Sequence, residues 1–174
     1  MSRETSYNAR LAQEDQQSAE IEVVLFIIEH PDIDGGILRL CSYPATRVSV
    51  EPLLYGTYST WRTEDGSPFL FTIMEPIVPD EKDDAPAQAS LALELLDSDM
   101  GDVLTSTTER ATCHIAVVMA SSPDVPEAEW LNLLMTSADV DSSRALLRFS
   151  TESIYNEPAS ANRMVKQNCP GLHR

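Results

Sequence analysis

In three stretches of this chain, 89–95, 111–119 and 143–150, apolar residues recur at every second position, whereas the first eighteen residues lack that alternation. Residues 4–18, ETSYNARLAQEDQQS, are polar with Ala9 and Leu11 as apolar anchors, which predicts a short, largely exposed helix that packs loosely or against a partner. From Glu20 to His30 the chain turns β-branched and apolar, and it stops at Pro31. The following DIDGG places an Asp34-Gly35 pair where a tight hairpin turn needs positive φ, so Ile37–Cys41 reads as the return strand.

Between Arg47 and Met74 the punctuation by Pro52, Gly56, Asp65-Gly66 and Pro68 predicts several short strands, among them Thr57–Trp61 and Phe69–Met74. Residues 75–88, EPIVPDEKDDAPAQ, combine three prolines with five acids and one lysine, and predict an exposed loop or edge connection. Ala89, Leu91, Leu93 and Leu95 then occupy one face of a strand, with helix the rival reading of so leucine-rich a stretch, and DSDMGDVLTSTT, residues 97–108, predicts one short helix or a broad turn. In 111–119 the apolar positions Cys113, Ile115, Val117 and Met119 share a face, leaving Thr112 and His114 on the strand surface. SSPDVPEAEW reads as a proline-broken loop, Trp130–Thr136 as a strand, and Asp139–Ser143 as a turn. In 143–150 Ala145, Leu147 and Phe149 point one way and Arg144 and Arg148 the other. Short alternating strands separated by turns predict a mainly β domain, a β-sandwich or small barrel, with a short N-terminal helix and one short internal helix. No internal repeat is present.

Length and composition set bounds on this picture. A chain of 174 residues removes roughly 70% of its unfolded surface from water as one domain, so it needs neither a metal nor a disulfide staple. The balance of 12 basic and 28 acidic residues, net −16, disfavours a grip on nucleic acid, which depends on cations displacing counterions from phosphates. The same charge disfavours acidic membranes, and the apolar run Val23–Ile28 is far short of the ~20 residues that span a bilayer. MSRETSYNAR holds no apolar signal core, and Cys41, Cys113 and Cys169 are odd in number and widely spaced, the expectation being reduced thiols in a cytosol.

Candidate chemistry is sparse. Asp32 and Asp34 suggest a calcium loop, but glycine arrives too early and the twelfth position is Tyr43 in place of a bidentate Glu. There is no C-x-x-C, H-E-x-x-H, G-x-S-x-G or phosphate-cradling glycine loop, and Cys113 and His114 are adjacent on opposite strand faces, so no catalytic residue, cofactor or metal is expected.

The charge is unevenly placed. Residues 156–174, NEPASANRMVKQNCPGLHR, carry Arg163, Lys166 and Arg174 against Glu157, net +2, while residues 1–155 hold 9 basic and 27 acidic side chains. Proline at 158 and Pro170-Gly171 set bends, so the chain divides into a β-rich domain, 1–155, and an extended basic arm, 156–174. The arm residues Glu157, Pro158, Arg163, Lys166, Cys169, Pro170, Gly171 and Leu172 are the candidate interface with the acidic surface of a neighbouring subunit.

Five blocks in order, SRETSYNARLAQE, VLFIIEHPDI, ASLALELLDSDMGDVL, VVMASSPDVPEAE and NEPASANRMVKQNCPGL, make the whole chain resemble a family of minor tail proteins of long-tailed bacteriophages, catalogued as a domain of unknown function. The family usually closes on Phe-Pro-Gly-Leu and an aromatic residue; here Cys169-Pro170-Gly171-Leu172 and His173 stand there, and a thiol fills less space than a phenyl ring. The resemblance implies a fold related to the phage tail tube. It implies a homo-oligomeric, commonly hexameric ring at the distal end of the virion tail, assembled in the host cytoplasm beside the tail tube, tape measure and tail-tip hub proteins. It carries no catalytic residues. An alternative that charge alone motivates is an acidic DNA mimic inhibiting a host nucleic-acid enzyme.

Overall fold

The computed structural model describes residues 5–33, 35–63, 66–78, 88–94, 110–141 and 144–151. These form a mainly β architecture: one helix, α1 (Tyr7–Glu14), and ten strands, β1 (Glu22–Glu29), β2 (Ile37–Cys41), β3 (Thr46–Ser49), β4 (Leu54–Thr57), β5 (Phe69–Phe71), β6 (Met74–Ile77), β7 (Gln88–Glu94), β8 (Thr112–Met119), β9 (Ser122–Val140) and β10 (Arg144–Ser150). The strands make a single mixed sheet in the order β3-β4-β5-β2-β1-β8-β9-β10-β7-β6, in which only β2 and β5 run parallel.

Register explains why VVLFII is continuous rather than alternating. Phe26 stands between Leu40 and Ile115, and together with Ile28, Cys113 and Leu133 these side chains belong to a core that runs over β2, β1, β8, β9, β10 and β7. On the opposite face Leu25 stands between Cys41 and Ala116, in a second core with Val23, Ile27, Val118, Phe69 and Trp61. Strands buried on both faces have no wet side on which to place polar residues. The outer strands keep the alternation: Ala89, Leu91 and Leu93 of β7 lie opposite Phe149, Leu147 and Ala145 of β10, all buried, while Arg144 and Arg148 face solvent as expected.

Several expectations need correction. The proline-rich SSPDVPEAEW is not a loop: from Ser122 onward it is the first half of β9, which continues unbroken to Val140, through part of the expected turn at 139–143. Here β9 pairs only with β8, because β10 begins its pairing at Leu134. Among the described residues no second strand pairs with this half of β9, so a residue without an N–H costs no ladder bond there. Two register shifts near Val118 accommodate the prolines. The turn between β1 and β2 is wider than a two-residue hairpin: His30 N–H donates to Gly36 O, and among the described residues of the turn positive φ falls at Gly35 and Gly36, Asp34 lying outside them. Trp61, expected at a strand end, lies in a turn after β4; the expected strand Phe69–Met74 divides into β5 and the start of β6, and Glu75–Ile77, from the expected loop or edge connection, complete β6 at the edge, with Pro76 placed as an edge tolerates.

The N-terminal helix is present and shorter than the polar stretch that predicted it. Ser6 caps it, its Oγ accepting from Ala9 N–H at 3.2 Å, while Ser6 N–H donates to Glu127 Oε2 on β9 at 2.8 Å. Ala9 is the buried anchor; Leu11 stays exposed. The expected internal helix at 97–108, Leu95 and most of the acidic loop, 79–87, lie outside the described residues.

Candidate subunit interface

The basic arm named from the sequence, with Glu157, Pro158, Arg163, Lys166, Cys169, Pro170, Gly171 and Leu172, lies outside the described residues. The described part of the molecule offers a different surface. β3 and β4 form a hairpin at one end of the strand order, and every residue from Val50 to Tyr55 is exposed. Val50 is 64% exposed and Leu53 59%, with Leu54, Tyr55 and Tyr58 beside them in sequence. The Glu51–Pro52 peptide at the turn is cis. Water contact at so many consecutive apolar residues is costly for an isolated domain, and such patches mark contact surfaces.

Local chemistry shapes this hairpin. Thr46 and Arg47 pair with Gly56 and Tyr55, and the register then shifts before Ser49 meets Leu54. Gly56 is buried where β4 meets β5, and a Cβ there would fall inside contact distance of the Phe69 carbonyl oxygen. Glycine is thus the residue that lets the hairpin seat against β5, leaving its tip to project. Sequence inspection missed this surface, although VSVEPLLYGTY carries the signal: adjacent apolar residues at 53–55 that no alternating strand would bury together.

At the other end of the strand order β6 exposes Ile73, Ile77 and Val78 around Glu75. A third surface is an open cleft of about 260 Å³ between α1 and the β8–β9 turn, lined by Asn8, Leu11, Ala12, Asp15, Ser18, Glu20 and Ser121.

The most unusual interior group is His114, which the alternation of 111–119 placed on the strand surface and which is in fact 1% exposed. Both faces of β8 are covered, so facing away from Cys113 does not mean facing water. Cys113 pairs with Leu133 and Ile115 with Trp130, so Leu131 and Asn132 together oppose His114 in a β-bulge. Asn132 adopts φ +57°, and its N–H donates to His114 Nδ1 at 3.0 Å. That bond leaves the imidazole proton on Nε2, which lies 3.5 Å from Glu29 Oε1, while Arg62 Nη2 is 3.9 Å from the same oxygen. Desolvation by burial, with the Arg62 charge second, holds His114 below the usual imidazole range, against the opposing pull of Glu29. With both nitrogens engaged and the ring closed to solvent, His114 fastens a bulge.

Burial likewise pushes the Cys41 thiol up, opposed by hydrogen bonds involving Thr57 and Tyr43, and raises Cys113 further. Cys169 lies outside the described residues. Among the described residues no group of three or more His, Cys, Asp or Glu is placed to hold a metal ion, and no helix is long and apolar enough to cross a membrane. Neither a family model nor a curated protein matches the chain.

Proposed function

We propose that this protein is a structural subunit of the distal tail of a long-tailed bacteriophage, forming a ring that joins the tail tube to the tail-tip hub. The observation that carries this reading is the order of the five tail-family blocks over the whole chain, from SRETSYNARLAQE to NEPASANRMVKQNCPGL. The mainly β fold supports it, as does an apolar hairpin projecting from a domain of strong negative charge. On this reading the fold is a relative of the tail tube, and the neighbours are tail tube, tape measure and hub proteins.

The charge has a use in such a ring. An acidic wall repels phosphates, so DNA leaving the capsid passes over water and counterions without sticking. The acidic residues of EPIVPDEKDDAP are assigned to the channel or to a subunit boundary, and the cations of the 156–174 arm to the acidic surface of the neighbouring subunit.

The experiment is electron microscopy of virions labelled through this protein, together with the mass of the purified chain with and without residues 157–174. Label at the distal tail, six-fold annuli from the full chain and folded monomers from the truncated one are expected. Label on the capsid, or its absence from virions, rejects the tail assignment; intact rings from the truncated chain reject the role of the arm. A monomer that competes with DNA for a host enzyme would establish the acidic-mimic alternative instead.

A further inference from the structure

We propose that the β3–β4 hairpin of one copy docks across the outer face of β6 on the next copy. The inference rests on the assembly reading above and names a contact that such an assembly requires.

β6 presents its two rows differently. Met74 and Pro76 stand opposite Leu93 and Leu91, whose side chains lie in the core. Glu75 and Ile77 stand opposite Ala92 and Ser90 on the outward face, and Ile73 continues their row through the bond from Glu94 N–H to Ile73 O. The outer row therefore reads apolar, acid, apolar, with Ile73 and Ile77 exposed at 50% and 66%. The hairpin carries the complement: Arg47 opposite Tyr55, in the same exposed element as Val50 and Leu53. Among the described residues neither Arg47 nor Glu75 has an oppositely charged partner within the molecule.

Charge also selects this pair of surfaces. Copies that each carry −16 repel one another, so contact is cheapest where local charge is lowest. Residues 46–58 hold one cation, Arg47, and one anion, Glu51, and are otherwise apolar or neutral. A hairpin that seats its isoleucine-facing side on Ile73 and Ile77 while Arg47 meets Glu75 removes apolar surface from water and pairs a charge.

The contact is held by side chains. Ile73 directs its main-chain groups inward to β7, so by alternation Met74 and Pro76 turn theirs outward, and Pro76 has no N–H to give. An added strand would find an incomplete ladder there, which protects the edge from unspecific pairing. Hairpin and β6 are different surfaces at opposite ends of the strand order, so each copy offers one of each. Such a heterologous contact closes into a ring when the rotation between copies allows.

The test uses the full chain and light-scattering mass over a range of concentrations. Leu53→Asp and Ile77→Asp alter exposed side chains, and circular dichroism checks that each variant keeps its fold. Each is expected to weaken association about tenfold or more. An equimolar mixture of the two is expected to form one-to-one heterodimers, since one intact contact remains. Arg47→Glu and Glu75→Arg are expected to weaken association singly and to restore it when combined in one chain. Wild-type assemblies unaffected by either aspartate variant overturn the docking and leave the assembly reading standing. Dimers of the Ile77→Asp variant alone overturn it in favour of hairpin-on-hairpin contact. A wild-type chain that stays monomeric at every concentration overturns both.

Discussion

His114 gives the sharpest check on the interior, because one side chain both closes a backbone bulge and loses proton affinity on folding. Replacing it with Leu keeps an apolar ring's worth of volume but leaves the Asn132 N–H without its acceptor. An orphaned, partly buried amide costs about 1–3 kcal/mol. With a urea m-value of about 2 kcal/mol/M, the denaturation midpoint should fall by roughly 0.5–1.5 M. His114→Asn places a carbonyl oxygen near the former Nδ1 position and should recover part of that loss. The pH dependence separates the two roles of the ring. Folding holds His114 below its ordinary range through burial first and Arg62 second, so the unfolded chain takes up a proton that the folded chain refuses. The stability contribution is therefore complete above about pH 6.5, the ordinary imidazole value, and is lost as pH falls through it toward the lowered folded value. The charged groups that face it are Glu29 on β1, Arg62 in the turn after β4, and Arg39 on β2, which shares a sheet face with His114 across Ile27. Urea melts of wild type and His114→Asn between about pH 7.5 and 5.5 should show a steeper loss on acidification in wild type, since the variant has no imidazole to charge. Equal slopes in the two proteins, or His114→Asn as costly as His114→Leu at the upper pH, would refute the assignment.

Two further predictions rest on packing. Gly56→Ala puts a methyl group against the Phe69 carbonyl and should destabilise by about 1–3 kcal/mol, with amide exchange in 46–57 accelerating more than in β7 or β10. The thiols of Cys41 and Cys113, buried and raised, should resist alkylation in the native protein and react after denaturation, as counted by mass spectrometry; rapid native labelling of either would mean that its core opens readily.

The sequence and the structure agree wherever one strand face is wet. In β10 the arginines mark the outside and Ala145, Leu147 and Phe149 the inside, so period two alone identifies the strand and its core residues. β7 was legible in the same way. The helix was legible from a polar stretch with Ala9 and Leu11 as anchors, though its limits depended on the Ser6 cap, which only the structure showed. Elsewhere local pattern was not enough. The prolines at 123 and 126 signalled a loop because their cost depends on whether a neighbour strand needs their N–H, and that neighbour, β10, is absent there. His114 looked wet because alternation gives the face and not what covers it; Trp61, Phe69 and β5 close that side of the sheet from elsewhere in the chain.

The candidate site divides along the same line. The basic arm could be named from charge and proline positions alone, whereas the exposed hairpin and the outer row of β6 emerged only with burial and register. What the sequence by itself determined was the mainly β character, the strands with one wet face and the uneven placement of charge, because propensity, alternation and charge are properties of neighbouring residues. The order β3-β4-β5-β2-β1-β8-β9-β10-β7-β6, the two-sided burial of β1 and the surfaces left free for a partner were decided by contacts between distant segments. Burial is a property of what packs on a residue, and no stretch of chain carries that information alone.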